Sequence, residues 1–370
     1  MKTIGREVLF LNTSEGNPRN GESTFLREKD GSVLFVYTEF CGESRHDHAR
    51  ARLSACRSSD GGETWSEPFV LLETDGGAQN IMSPSLLRLA DGRMGLVYLC
   101  KTKGGENKLS CIPYFRVSDD EGKTWSERVK IIPDEAYYVV VNDCAAVLKN
   151  GRILVPVSRA GNGDYTYLAG KVLFYASDDN GKTWQKLSGE VASPHTDNIG
   201  LQEPGVFERE DGTLWSWFRT GYGFQYQSFS SDGGQNWSAP VPNWFFTSPD
   251  SPMRVKNVGA YTVAVYNPVP YCGVGDRESW GSPKRTPLVC AVSRDDGLSF
   301  QPADRTTTGR DTDAFCADLF YLEESRTDSY CYPSILGLDD GFLVSYYHSG
   351  GSSMCLNCTK IVKVRFDEIG

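Results

Sequence analysis

No run of eighteen apolar residues occurs anywhere in this 370-residue chain, so no segment reads as a membrane-spanning helix. The opening Met1-Lys2-Thr3-Ile4-Gly5-Arg6-Glu7 turns polar at once and lacks the apolar stretch of a signal peptide. Basic residues are not in excess. Lys plus Arg total 38 against 48 Asp plus Glu, a net charge of −10, which argues against nucleic acid as the main partner. An anionic small substrate stays open, because a few clustered arginines reverse the field locally. Histidine is scarce: His46 and His48 share a loop, His195 and His348 lie far away, and no metal site is expected. The eleven cysteines are odd in number and scattered, and read as reduced thiols of a cytosolic protein. Cys355-x-x-Cys358 is the only close pair, and its Ser and Asn neighbours suit a turn better than a metal or redox site. The expected location is cytoplasmic as the chain stands, or periplasmic or secreted if a leader has been removed.

Apolar residues make up 39% of the chain, enough for a large core, while 38 Gly and 18 Pro favour short strands joined by many turns. The pattern Ser-x-Asp-x-Gly-x-Thr-Trp recurs at Ser58–Trp65, Ser118–Trp125 and Ser177–Trp184. Ser230–Trp237 exchanges Thr for Asn236, and Ser293–Phe300 exchanges Trp for Phe. The aromatic positions are 60, 59, 53 and 63 residues apart. Asp caps amides in a tight turn, Gly accepts positive φ, and the ring is expected to pack back over the turn.

A second turn signal interleaves: Asp30-Gly31, Asp91-Gly92, Asn150-Gly151, Asp211-Gly212, Asn257-Val258-Gly259 and Asp340-Gly341. Six such hairpins against five boxes predict six units of roughly sixty residues. The expected fold is all-β, a single domain over 1–370 forming a six-bladed β-propeller with four-stranded antiparallel blades. The last unit has a strand at Ile361–Phe366 and then runs out of chain.

The box resembles the Asp-box, or bacterial neuraminidase repeat, of sialidases and related propellers. The resemblance implies three arginines clamping a substrate carboxylate, a Tyr nucleophile assisted by a Glu, and an Asp acid/base. Glu203 in Leu201-Gln202-Glu203-Pro204, with Arg219 sixteen residues on, looks like the family's Glu and second Arg. Arg285 resembles the third arginine, ahead of a strand leading to a box. Arg19 stands where the first belongs, although the usual Arg-Ile-Pro is absent. Tyr332 in Tyr332-Pro333-Ser334-Ile335 is similar to the nucleophile segment, with Tyr330 a rival. Asp47 in Arg45-His46-Asp47-His48 lies in the region of the acid/base, with Glu22 or Asp143 as substitutes. Glu22 and Arg159 join the expected substrate contacts, Arg254 and His348 border the pocket, and Trp217 and Tyr222 are candidates to stack on a sugar.

Together these residues imply a retaining exo-glycoside hydrolase that releases terminal α-linked sialic acid. Its partner would be an acidic oligosaccharide or glycoconjugate. No metal or organic cofactor is implied. Guanidinium groups read a carboxylate bidentately, and a neutral Tyr avoids the repulsion a carboxylate nucleophile would meet. Two alternatives remain: a hydrolase or lyase acting on another acidic sugar, and a carbohydrate-binding propeller without catalysis. The box-free stretch from Val241 to Leu288 is expected to wall the pocket, through Tyr266-Asn267-Pro268 and Gly273–Trp280.

Overall fold

The computed structural model describes residues 1–103, 109–160, 170–195, 200–269, 285–300, 318–350 and 356–370. Short strands dominate, as the turn-rich composition requires. In chain order they begin with β1 (Arg6–Leu11), β2 (Asn20–Arg27), β3 (Val33–Phe40), β4 (Ala51–Ser58) and β5 (Phe69–Leu72). Next come β6 (Asn80–Arg88), β7 (Met94–Lys103), β8 (Leu109–Ser118) and β9 (Val129–Lys130). The third repeat holds β10 (Tyr138–Val139), β11 (Ala146–Val147), β12 (Ile153–Arg159), β13 (Lys171–Ser177) and β14 (Gln185–Ala192). Then follow β15 (Gln202–Glu208), β16 (Leu214–Arg219), β17 (Phe224–Ser230) and β18 (Val241–Thr247). The chain continues through β19 (Arg254–Val258), β20 (Tyr261–Tyr266), β21 (Leu288–Ser293) and β22 (Leu319–Glu323). It ends with β23 (Tyr330–Gly337), β24 (Gly341–His348) and β25 (Cys358–Arg365).

The fold is an all-β propeller, but the expected count of six separate four-stranded blades is corrected. The described strands form five sheets, three of four strands, one of five and one of eight. Four are thus single blades and the fifth is a continuous double-width sheet. Its two antiparallel runs, β2-β3-β4 with β5 and β6-β7-β8-β9, are tied by a parallel bridge between Ala51 and Asn80. Asn80 Nδ2 also donates to the Ala49 carbonyl at 2.6 Å, so hydrogen bonding does not break between these repeats. In the last sheet the missing outer strand comes from the other end of the chain: β1 pairs antiparallel with β25. Among the described residues no helix is long and apolar enough to cross a membrane.

The boxes work between repeats as well as within them. Ser58 Oγ donates to Asp60 at 2.8 Å, and Asp60 accepts the Thr64 amide at 2.9 Å and its hydroxyl at 2.5 Å. The departures in the later boxes keep a donor in place. Asn236 Nδ2 reaches Asp232 at 2.8 Å, and the Ser299 hydroxyl reaches Asp295 at 2.8 Å. The expected fold-back of the ring is only part of the picture. Trp237 does donate to Gly234 O at 3.0 Å, but its ring stacks on Phe174 of the preceding repeat at 4.1 Å. Trp184 likewise meets Phe115 at 5.3 Å. These two boxes therefore fasten their repeats to the ones before, whereas Trp65 packs on Phe25 and Phe35 of its own repeat.

Candidate active site

The innermost strands share a backbone device. In β2, β6, β15 and β23 the register shifts by a bulge between Gly21 and Ser23, Met82 and Ser85, Gln202 and Gly205, and Cys331 and Ser334. Each bulge holds a non-glycine residue at positive φ: Glu22 at 47°, Ser83 at 55°, Glu203 at 45° and Tyr332 at 56°. Asp143, at 56°, is a further case. Such conformations are costly for residues with a Cβ and collect where function requires them. Here they turn polar side chains from neighbouring inner strands toward one another.

Tyr332, Glu203 and Arg219 form a closed triangle. The Tyr332 phenol donates to Glu203 Oε1 at 2.6 Å. Arg219 Nη1 donates to Glu203 Oε2 at 2.6 Å and to the Tyr332 oxygen at 3.2 Å. The Arg219 Nε is held by Asp250, while its Nη2 has no hydrogen-bond partner among the described residues. Arg285 lies with its guanidinium carbon 5.7 Å from the Tyr332 ring centroid and donates to the Asp250 carbonyl at 2.8 Å. Burial, and then the Glu203 charge, push the Tyr332 phenol well above its ordinary range against the opposing pull of Arg219 and Arg285. Tyr332 is therefore a neutral phenol with its proton directed at a carboxylate.

Arg19 is 2% exposed and lies under Phe40, its guanidinium carbon 4.4 Å from that ring. It donates to the Tyr347 oxygen at 2.9 Å, to Glu22 at 3.2 Å and to Asp47 at 2.5 Å. Tyr347 joins the two groups of residues, because its ring meets the Tyr332 ring edge-on at 5.8 Å. Asp47 sits on the loop between β3 and β4 with its side chain 55% exposed. Partial desolvation of its carboxyl opposes ionisation, but Arg19 and Lys101 outweigh that and hold the group well below the usual carboxylate range. Glu22 behaves oppositely. Its burial exceeds the pull of Arg19 and of the Ser83 hydrogen bond, and raises it to about 6.

The structure thus brings together Arg19, Glu22, Asp47, Glu203, Arg219, Arg285 and Tyr332. It does not bring Arg159 to them. That residue ends β12 in register with Tyr138 and Lys171, and makes no ion pair to the clamp among the described residues. Tyr330 packs edge-on to Tyr346 and His348, in a core cluster away from Glu203. His348 is accordingly a packing partner of Tyr330 and Phe10. Trp217 is 1% exposed and donates to Met253 O at 2.9 Å, so it is core and presents no face for a sugar. Tyr222 lies edge-on to His195 at 4.9 Å, within a separate aromatic group. Arg254 is buried beneath the site, bonded to the Asn142 carbonyl, and Asp143 pairs with Lys256 at 2.5 Å. Asn267 braces the Pro287 and Tyr330 carbonyls at 2.9 and 3.1 Å. Gly273–Trp280 and Cys355 lie outside the described residues.

Sequence reasoning missed Tyr347, Asp250, Ser83 and Lys101. A signal existed for Ser83: Ser83-Pro84, Glu203-Pro204 and Tyr332-Pro333 are the same dipeptide position in three repeats. Nothing marks Asp250 or Tyr347, whose roles depend on packing between distant segments.

The BNR repeat-like domain model matches residues 74–344, most of the chain. The chain belongs to this family. A sialidase of Paraclostridium sordellii is 25% identical over 236 residues, covering 58% of this chain and 55% of its own length. An anhydrosialidase of Macrobdella decora is 30% identical over 139 residues, 34% of this chain and 16% of its own. The match thus spans about half of the first relative and less of the second. Among solved structures, an intramolecular trans-sialidase of Ruminococcus gnavus superposes with a TM-score of 0.71. It covers 98% of this chain and 97% of that one at 14% identity. A Dyadobacter fermentans protein of unknown function gives 0.70 at 21% identity, covering 97% and 99%. At these identities the superpositions establish the propeller fold and nothing finer.

Proposed function

We propose that the chain is a retaining exo-glycoside hydrolase that releases terminal α-linked sialic acid from glycans. The observation that carries the reading is the Tyr332–Glu203–Arg219 triangle, a neutral phenol donating to a carboxylate beside a guanidinium with unused donors. In this reading Arg219, Arg285 and Arg19 bind the sugar carboxylate, with planar forks suited to two-point contact. The Tyr332 oxygen attacks the anomeric carbon while its proton passes to Glu203 Oε1, which keeps the nucleophile neutral until the bond forms. Asp47 protonates the leaving oxygen and then deprotonates the water that breaks the glycosyl–tyrosine bond. For this, Asp47 must first leave Arg19, whose charge otherwise keeps its proton off. The sialidase names of the relatives support the substrate class.

The test is the anomer formed first. Proton NMR of an α-sialoside digest is expected to show α-sialic acid before mutarotation, and β-sialic acid first would overturn the double displacement. The same spectra separate free sialic acid from an internal anhydro sugar, the outcome suggested by the anhydrosialidase relative.

A further inference from the structure

Residues 42–47 of the loop between β3 and β4 are exposed, yet the main chain around Asp47 is fastened by the second repeat. Three consecutive carbonyls accept hydrogen bonds from its side chains. Lys101 Nζ donates to the Asp47 carbonyl at 2.7 Å, with Asn80 Nδ2 at 3.3 Å from the same oxygen. Gln79 Nε2 donates to the His48 carbonyl at 3.0 Å, and Asn80 Nδ2 to the Ala49 carbonyl at 2.6 Å. On the other side of Asp47, Arg19 Nη1 donates to the Arg45 carbonyl at 3.2 Å. The Asp47 carboxylate itself is held by Arg19 alone among the described residues. A backbone fixed on both sides thus carries a side chain with a single partner.

Two of these donors are costly to bury. Lys101, on β7, is 4% exposed and makes no ion pair among the described residues. An ammonium without a contacting carboxylate is expensive in a protein interior, and an apolar side chain there would cost less. Asn80 is fully buried with its Oδ1 unpartnered among the described residues, a further penalty. Stability alone does not account for either choice, and both donors are spent on the Asp47 loop. A proton donor works only when it is held close to its productive geometry. Asp47 must also turn from Arg19 to the leaving oxygen, and rotation of the side chain achieves this only if its Cα stays in place.

We infer that Lys101 is a positioning residue that, with Gln79 and Asn80, holds the main chain of Asp47 while its carboxyl swings from Arg19 to the leaving oxygen. This rests on the sialic acid reading given above, with Asp47 as its acid/base. The join of the first two repeats places the three donors: Ala51 N donates to the Gln79 carbonyl at 3.3 Å, and Gln79 N to the Lys101 carbonyl at 3.2 Å. The Lys101 charge is not the useful part, because it favours ionised Asp47, the wrong direction for a proton donor.

The test is kcat/KM of the full chain on two substrates, 3′-sialyl-lactose, whose leaving sugar needs a proton, and 4-nitrophenyl α-sialoside, whose leaving phenolate does not. This parameter reports the steps up to cleavage and leaves out the later attack of water. Lys101→Met is expected to fall at least about tenfold on sialyl-lactose and less than about threefold on the nitrophenyl substrate, with an unchanged or higher melting temperature. Loss of the ammonium makes Asp47 easier to protonate, so this fall runs against the charge effect. Gln79→Ala, which changes no charge, should shift the ratio of the two substrates in the same direction by a smaller factor. Asp47→Asn supplies the full pattern of a missing acid. A merely structural Lys101 would lower both substrates equally. Equal losses, or an unchanged ratio in both Lys101→Met and Gln79→Ala, overturn the inference and leave the sialic acid reading standing. Equal losses in Asp47→Asn remove Asp47 as the acid and the inference with it. Cleavage of neither substrate by folded wild type overturns the sialic acid reading itself.

Discussion

Individual residues in the site are set by backbone strain and by neighbours that cannot yield. Glu203 and Tyr332 each sit at positive φ before a proline, a position that ordinarily favours extended backbone. Their side chains are aimed by that departure. Glu203→Gln should lower kcat by at least about 10²-fold, the usual contribution of a proton acceptor, with a much smaller change in KM. Steady-state kinetics on an α-sialoside checks this, and an unchanged kcat would remove Glu203 from the proton path. Gly21 offers a second test at this scale. The Cβ of Gly21→Ala would meet Tyr347 Cε1 at 1.9 Å, so the ring and the Arg19 Nε bond it receives must shift. The expected outcome is a loss of about 1–3 kcal/mol of stability and a raised KM, read from denaturant melts and kinetics. Residue identities at the site were partly legible in the sequence. Glu203, Arg219 and Tyr332 stand in recognisable motifs, whereas Tyr347 and Asp250 act through contacts across 328 and 31 positions of chain, which no local pattern records.

Among the elements, the box turns carry most of the regularity. Hydrogen bonds from the Thr hydroxyl and amide lower Asp60 and Asp120 to about 2. A carboxyl depressed on folding adds stability above its unfolded value, near pH 4, and that stability is lost as pH falls through the folded value near 2. Thr64→Val should therefore lower the melting temperature at pH 7, with a gap to wild type that shrinks as pH approaches 2. A gap constant with pH would show that the hydroxyl's bond to Asp60 does not matter. At Gly181 the box docks on Phe115 of the preceding repeat, and a Cβ would lie 1.9 Å from its ring at a φ of 85°. Gly181→Ala should cost about 1–3 kcal/mol, as overpacking does. The box turns were legible because turn chemistry is local, whereas the docking of Trp184 and Trp237 on the preceding repeats was not. The corrected blade count was not, because it depends on the Ala51–Asn80 bridge between strands that the repeat treats as separate.

For the whole molecule, the N-terminal strand completes the sheet that carries both Tyr332 and Tyr347, so closure of the propeller and integrity of the site are linked. The incomplete last repeat was visible in the sequence, but its partner was not, because β1 and β25 stand at opposite ends of the chain. The triangle on β15, β16 and β23 is proposed to carry out glycosyl transfer through a tyrosine. The most direct measurement is hydrolysis of an α-linked fluorogenic sialoside across pH 4–8 by wild type, Tyr332→Phe and Arg219→Ala, each verified as folded. Wild type is expected to release sialic acid, and both variants at least about 10²-fold less. Release sustained in Tyr332→Phe, or none from folded wild type, would contradict it.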